Sequence, residues 1–191
     1  MTSVEPLHLP LPEELIPRKS FRPAGTVLSA QYLSSAPKFP KPGTTSRAQR
    51  LGKRYEAKVY KELKSLESSK NFSPDIILYG PWISFLSSSG SVRSCQPDIL
   101  IFEDHLKICT ICEIKYSHTI DAYHQLRRLY LPVMQKLHPT YEFRLIELTK
   151  SYDGAVKFPE EIAMFSMDFV SGYMKMLQDS SSKIGIIQWK L

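Results

Sequence analysis

Two apolar segments with charged residues at their ends constrain the fold of this chain most strongly. The first reads Gln-Pro-Asp-Ile-Leu-Ile-Phe over residues 96–102, and the second reads Lys-Ile-Cys-Thr-Ile-Cys-Glu-Ile-Lys over residues 107–115. Both are rich in β-branched residues, and the polar residues 103–105 between them indicate a turn. The pattern therefore predicts a hairpin of two buried strands.

The charged residues of this hairpin gather at one end. Asp98 opens the first strand, whereas Glu113 and Lys115 close the second. Successive residues of a strand point to opposite faces, so Glu113 and Lys115 point the same way. Because a buried unpaired charge is costly, the pair needs an explanation. It is either a functional site or, more simply, a surface Glu–Lys pair at the end of ordinary strands.

The functional interpretation is metal-assisted hydrolysis of a phosphodiester. Asp98 and Glu113 offer the oxygen ligands that Mg²⁺ prefers, and we expect Mn²⁺ to substitute for it. A bound cation lowers the pKa of its water and neutralises charge on phosphate. Lys115 would orient the attacking water or stabilise the pentavalent phosphorus.

The spacing of these residues matches a known signature. Pro97-Asp98, fourteen further residues and then Glu113-Ile114-Lys115 resembles the PD-(D/E)XK nuclease superfamily, the fold of many restriction enzymes, phage exonucleases and archaeal Holliday-junction resolvases. The resemblance covers about residues 47–150. It implies an α/β fold with a restriction-endonuclease-like mixed β-sheet flanked by helices, and it implies a metal-dependent DNA nuclease. A short nuclease of this kind would suit a phage or mobile element.

Residues 46–67 are predicted to form an amphipathic helix with Ser46 as a possible N-cap. Its apolar stripe recurs at steps of three and four residues: Leu51, Tyr55, Val59, Leu63 and Leu66. Glu56 lies at the border of this stripe. By the resemblance, Glu56 is a further carboxylate at the metal, although an ordinary surface acid is the alternative. Lys53 and Arg54 would lie near the mouth of the site, where they could contact phosphates.

A second helix is predicted from about residue 120 to 138, with a kink at Pro132. In many members of the superfamily a Gln on this helix sits beside the catalytic Lys, with a Tyr four residues later. Gln125 fits the first position by resemblance, but the tyrosine here is Tyr130, one residue too far along. Arg127 and Arg128 are candidate contacts to the DNA backbone, and a solvated helix face is the simpler interpretation of each.

The remaining pattern predicts candidate strands at 76–79 and 82–86, and it extends the Asp98 strand to residues 92–102. Counted from the strand at 82–86, the Glu113 strand is the third, and a fourth strand is predicted at 141–149. The strand at 82–86 is expected to precede the strand at 92–102 in a meander. The fourth strand is expected to lie parallel to the Glu113 strand across a right-handed helical crossover. A helix opening at Pro159 and ending near residue 178, then a strand at 184–189, complete the domain 47–191.

Residues 1–46 hold eight of the fourteen prolines, which predicts an extended arm because proline lacks an N–H and fixes φ. Its apolar residues leave two interpretations open. The arm either wraps the domain or docks onto a partner, such as a homodimer or a larger assembly, or it is a loose tail.

Charge and cysteine content bear on partners and location. The net charge of +6 and a pI near 9.2 favour a polyanion such as DNA. No apolar run approaches the roughly 18 residues that cross a bilayer, and no targeting signal is apparent, so we expect an intracellular protein of the cytoplasm or nucleoid. The two thiols of Cys109 and Cys112 should point to opposite faces of a strand, which disfavours a shared zinc ion.

A different class of function also fits the sequence. The alternative is a non-catalytic nucleic-acid-binding or assembly subunit that retains the nuclease fold, because a fold does not determine a function. Retention of Asp98, Glu113 and Lys115 argues for catalysis. Whether cleavage is endo- or exonucleolytic is not encoded in any recognisable pattern.

Overall fold

The structure is a computed structural model that describes residues 22–38, 46–67, 72–152, 168–178 and 184–191, together with the backbone of 163–165. Within these ranges the chain is mixed α/β, with two β-sheets and helices packed against them. The larger sheet has six strands and includes the strand that carries Glu113 and Lys115.

The six-stranded sheet is built on the predicted hairpin. Its strands are β2 (Ile76–Tyr79), β5 (Ile99–Glu103), β6 (Ile108–Ser117), β7 (Glu142–Ser151), β8 (Ala163–Phe165) and β9 (Ile184–Gln188). The spatial order is β2-β5-β6-β7-β9-β8. β5 and β6 pair antiparallel, and β6 and β7 pair parallel across a helical crossover, as the sequence predicts.

A smaller sheet of three strands stands beside it. It contains β1 (Val27–Tyr32), β3 (Ile83–Ser87) and β4 (Val92–Cys95), in the order β1-β3-β4. β1 belongs to the region predicted as an arm, so at least that part of the arm pairs with the domain. The flanking residues 1–21 and 39–45 lie outside the described residues.

Helices cover both faces of the large sheet. One core packs α1 (Arg47–Leu66) and α4 (Phe169–Gln178) against one face. The other core packs a helical stretch made of α2 (Ile120–His124), a π-helix (Gln125–Tyr130) and α3 (Leu131–Leu137) against the opposite face. β6 divides the two cores: Cys109 lies in the second and Cys112 in the first. The predicted opposite orientation of these thiols is confirmed.

The predicted meander is wrong in one respect. Residues 92–102 form two strands, β4 and β5, which belong to different sheets. Pro97 lies between them and has no N–H for a strand ladder. β3 consequently pairs with β4 in the small sheet, and β2 takes the place beside β5.

The predicted helix at 159–178 begins later than expected. α4 starts at Phe169, after Asp168 accepts a 3.0 Å bond from the Ser171 N–H, and residues 163–165 form β8 instead. β8 pairs parallel with β9, so the tertiary partner outweighs the local helical pattern there. Pro159 lies outside the described residues.

The helical stretch at 120–137 also differs from the prediction. The irregularity is the π-helix before Pro132, and Pro132 itself lies in the first turn of α3. Because Pro132 has no N–H, the Arg128 carbonyl lacks its ordinary helical donor. The Ala24 N–H donates to that carbonyl at 2.8 Å, which attaches the segment before β1 to this helix. Within the described ranges, none of the helices has the length and apolar character needed to cross a bilayer.

Two glycines provide a matched test of the packing. A Cβ added at Gly172 in α4 would lie 3.0 Å from Ile187 Cδ1, and Ile187 is fully buried on β9. A Cβ added at Gly52 in α1 meets nothing within 4 Å. We expect Gly172→Ala to lower the free energy of unfolding by roughly 1 kcal/mol, because overpacking outweighs the gain in helix propensity.

Gly52→Ala should raise the free energy of unfolding by roughly 0.5–1 kcal/mol, since only the propensity term applies. Urea denaturation followed by circular dichroism measures both changes. Equal stabilisation by the two substitutions would show that α4 does not pack against β9 as closely as described.

Candidate active site

The predicted acidic residues meet where β5 begins and β6 ends. Ile99 pairs with Cys112 in the β5–β6 ladder, so continuing this antiparallel register by one residue places Asp98 opposite Glu113. Asp98 Oδ2 accepts a 2.7 Å hydrogen bond from the Ile114 N–H. The side chain of Asp98 is thereby fixed to the strand that carries Glu113 and Lys115.

The backbone of Asp98 is held from the other side. Its carbonyl accepts the Gly80 N–H at 2.7 Å and the Tyr60 hydroxyl at 3.1 Å. Gly80 has a φ of 56°, and its own carbonyl accepts a 2.9 Å bond from Gln96 Nε2. A Cβ at Gly80 would lie 3.1 Å from that nitrogen, so the turn both needs a left-handed residue and has little room for a side chain.

Lys115 bonds to two of the predicted partners. Its Nζ lies 2.6 Å from Glu113 Oε1 and 2.6 Å from Gln125 Oε1. The shared face predicted for Glu113 and Lys115 is therefore present. Burial alone would lower the pKa of Lys115, but nearby charges, that of Glu113 first, outweigh it, and the pKa is raised. Lys115 is thus a protonated donor at neutral pH rather than a base.

Gln125 reaches Lys115 from the π-helix, and this turn brings Tyr130 back to the same place. In a π-helix the bonding step is five residues instead of four, so positions i and i+5 are neighbours on one face. Gln125 Nε2 lies 3.4 Å from the Tyr130 hydroxyl, which in turn donates to the Gln96 carbonyl at 3.2 Å. Tyr130 is one residue further from Gln125 than the resemblance leads us to expect, and the wider π turn compensates for this difference.

The hydroxyl of Tyr130 stays protonated in this environment. Burial, followed by the charges of Glu113 and Asp98, raises the pKa of Tyr130 well above its ordinary value. The hydroxyl therefore remains a hydrogen-bond donor beside the two carboxylates.

The two carboxylates are suited to a cation. Burial and then the charge of Glu113 raise the pKa of Asp98 well above its usual range, although the Ile114 N–H opposes the shift. The Oε2 atom of Glu113 is buried without a hydrogen-bond partner among the described residues. A divalent cation would relieve the repulsion and occupy the unpaired oxygen, so the donor set fits Mg²⁺ or Mn²⁺.

Glu56 lies on the side of α1 that faces this site. Its charge contributes to the raised pKa values of Asp98 and of Tyr60, the residue whose hydroxyl donates to the Asp98 carbonyl. Glu56, Asp98 and Glu113 do not, however, bring their oxygens within 4.8 Å of one another. A cation shared by all three would require their carboxylate oxygens to move closer together.

The described residues contain a different set of three potential ligands that is this close, namely Asp75, Glu103 and His105. Each already has a structural partner. Asp75 Oδ2 accepts the Asp104 N–H at 2.5 Å and lies 3.3 Å from His105 Nδ1, while Glu103 Oε1 accepts the Tyr173 hydroxyl at 2.9 Å. These bonds brace the β5–β6 turn, at the end of the hairpin away from Asp98.

The predicted basic contacts lie on two helices, and Arg127 is not brought to the site. It lines a cleft with Glu142 and Phe143 at the start of β7, the opposite end of the sheet from Glu113. Lys53 and Arg54 are exposed on α1, and Lys53 precedes Tyr60 by seven residues, which puts both on one line of the helix. Arg128 is exposed and Arg127 is half-buried on the π-helix. Lys53 is therefore the residue of the α1 pair whose helix face turns toward Asp98.

Several site residues escaped the sequence reasoning. Tyr60 and Gly80 hold the backbone of Asp98, and Gln96 holds the Gly80 carbonyl, but their sequence positions give no sign of these roles. Glu147 is fully buried on β7, paired in register with Glu113, and bonds His118 at 2.6 Å. Its charged position in the strand predicted at 141–149 was the available signal.

Comparison with known proteins adds no relative. No family model, no curated protein and no solved structure matches the chain. The assignment of function therefore depends on the chemistry of the site.

One consequence of the repulsion between the carboxylates can be measured without any substrate. Asp98→Asn keeps an oxygen that can accept a hydrogen bond from the Ile114 N–H, but it removes one of the two negative charges that repel each other. A carboxyl whose pKa is raised on folding destabilises the folded state above its unfolded pKa. We therefore expect Asp98→Asn to raise the free energy of unfolding by about 1 kcal/mol at pH 7.5 in EDTA.

Added Mg²⁺ or Mn²⁺ should stabilise the wild type by linkage and have less effect on Asp98→Asn. Chemical denaturation with and without the cation separates the two effects. A less stable Asp98→Asn variant in EDTA would contradict the repulsion.

Proposed function

We propose that this chain is a metal-dependent DNA nuclease with a restriction-endonuclease-like fold. The observation that carries the proposal is the contact of Lys115 Nζ with Glu113 Oε1 and Gln125 Oε1, each at 2.6 Å. It lies at the same end of the β5–β6 hairpin as Asp98. A simple surface Glu–Lys pair does not account for this arrangement, because Glu113 is buried with one oxygen unpaired.

The order of elements supports the proposed fold. α1 precedes an antiparallel hairpin, β5–β6, and a helical crossover leads from β6 to the parallel strand β7. Asp98 directly precedes β5 and Glu113 lies on β6, which supports the resemblance to the PD-(D/E)XK superfamily described above.

Each side chain has a role that follows from its contacts. Asp98 and Glu113 would hold Mg²⁺, or Mn²⁺ in its place, and Glu56 would support them from α1. The cation, when bound, supplies a water of lowered pKa and neutralises charge on the phosphate. Lys115 has three N–H donors, of which the bonds to Glu113 and Gln125 use two. The third can orient the attacking water or contact the phosphate, and Gln125 keeps the ammonium aimed.

The proposed substrate is DNA, which the net positive charge favours. Lys53, Arg54, Arg127 and Arg128 are the proposed contacts to its phosphates. A homodimer or a larger assembly through the N-terminal arm belongs to the same proposal and would be needed for a symmetric substrate such as a four-way junction.

The test is cleavage of linear duplex, nicked, circular, single-stranded and four-way-junction DNA in Mg²⁺, Mn²⁺ or EDTA. We expect Glu113→Gln and Lys115→Ala to reduce the rate of cleavage by about 10²–10³-fold, because the first removes a charged ligand of the proposed cation and the second removes a positive charge beside the phosphate. Lys150→Ala is the matched control. Thr149 pairs with Lys115, so the next residue, Lys150, points to the face of the sheet opposite to that of Lys115.

The nuclease would be supported if the wild type cleaves DNA only with the cation and if, of the three variants, only Lys150→Ala keeps this activity. Loss of circular DNA would identify an endonuclease, and loss of linear DNA alone an exonuclease. DNA binding without cleavage in any cation would favour the non-catalytic subunit instead.

The orientation of α1 gives a separate prediction about affinity. Lys53 lies on the helix line of Tyr60, whereas the exposed Lys58 lies five residues further on, about 140° around the helix. We expect Lys53→Ala to weaken DNA binding in Ca²⁺ and to reduce the slope of log Kd against log salt by about 1, as for one lost phosphate contact. Lys58→Ala should leave this slope unchanged. Equal slopes for the two variants would mean that DNA does not approach from the Tyr60 side.

A further inference from the structure

A buried carboxylic acid that the proposed mechanism does not use lies next to the site. Glu147 on β7 is paired in register with Glu113 on β6, so the two side chains lie on the same face of the sheet. Glu147 is completely buried, and Glu113 has 4% of its surface exposed. Burial raises the pKa of Glu147 to about 8, so the group carries a cost that must be offset elsewhere.

The hydrogen-bonded contact of Glu147 is with one short connection. Its Oε2 lies 2.6 Å from His118 Nδ1, and the two side chains are 0% and 2% exposed. The backbone of Thr119, the next residue, opposes the rise in the pKa of Glu147, and Glu147 Oε1 has no hydrogen-bond partner among the described residues. The ring of Tyr152 packs against His118, with centroids 4.9 Å apart.

This connection determines where the following helix begins. Residues 118 and 119 join β6 to α2, and Thr119 is the N-cap of α2 but makes no cap bond with its own side chain. Glu147 reaches this junction from the neighbouring strand β7, through its bond to His118. The start of the helix is thereby tied to β7 rather than only to the chain that precedes it.

The distance from this anchor to the site is short. Gln125 lies six residues beyond Thr119, about 9 Å along a helix. A shift of the helix start would pass directly to the 2.6 Å contact between Gln125 and Lys115. Misplacement of a catalytic group by about 1 Å is enough to cost about 10²-fold in rate.

We propose that Glu147, together with His118, is a positioning residue of the nuclease site that anchors the start of the helix carrying Gln125 and Tyr130. The inference rests on the proposed nuclease function. Glu147 acts through Lys115 and Gln125 and contacts no substrate. Its contribution is the hydrogen-bonded anchor, so an isosteric amide should replace it.

Three variants test the anchor. Glu147→Gln retains an oxygen and an N–H for His118 in either tautomer, whereas Glu147→Met fills the same space without either. Glu103→Met is the matched control. Glu103 is also a buried carboxylic acid of the same sheet with a side-chain partner, but it faces Tyr173 at the opposite end of the hairpin.

Two readouts are needed, cleavage kinetics and hydrogen–deuterium exchange of residues 119–130. We expect Glu147→Met to lower kcat about tenfold or more with Kd for DNA changed less than about twofold, and to speed exchange of this segment. Glu147→Gln should stay within about threefold of wild type in kcat, with wild-type exchange. Glu103→Met should lower Tm but leave kcat and the exchange of residues 119–130 unchanged.

Unchanged exchange of residues 119–130 in Glu147→Met would overturn the proposal, as would an equal loss of kcat in Glu103→Met. A Glu147→Gln variant as impaired as Glu147→Met would also overturn it, because the charge and not the bond would then matter. If wild type cleaves no DNA, the nuclease proposal fails. The exchange data still decide, in that case, whether Glu147 anchors the helix.

Discussion

The hydrogen bond from the Ile114 N–H to Asp98 Oδ2 connects the parts of the site that come from different strands. It extends the β5–β6 pairing beyond its last ladder pair, Ile99 with Cys112. Asp98 is thereby held opposite Glu113 in spite of their mutual repulsion. The cost is reduced by Lys115, whose ammonium lies against Glu113, and a bound cation would reduce it further. The Gly80 turn holds the backbone of Asp98, and the π-helix holds Lys115 through Gln125.

The π-helix shows how backbone geometry can compensate for sequence spacing. On a regular α-helix, a tyrosine five residues after Gln125 would point about 140° away from it, because five residues make one full turn and about 140° more. The wider π turn restores the alignment, and the Tyr130 hydroxyl reaches the Gln96 carbonyl. Spacing in the sequence is therefore a poor guide where the helix type changes. π turns are rare and occur frequently at functional sites.

Local patterns predicted the hairpin, α1 with its Ser46 cap, the parallel strand β7 and the shared face of Glu113 and Lys115. These depend on periodicity and on neighbours in the chain. The division of residues 92–102 between two sheets and the formation of β8 depend on pairing partners far away in sequence, so no local rule gives them. Gln125 came from the family resemblance alone. Glu147 was missed because its significance lies in the register of β7 with β6, which becomes visible only when the strands are paired.

The position of β6 between the two cores has a consequence for cooperativity. Cys109 and Ile111 belong to one core, while Cys112 and Ile114 belong to the other, and Glu113 lies on the same strand. Partial opening of either core would loosen one face of the strand that carries the site. The site therefore does not unfold independently of the two cores. A ligand that binds there stabilises both halves of the protein together, which makes ligand binding a probe of the global unfolding transition.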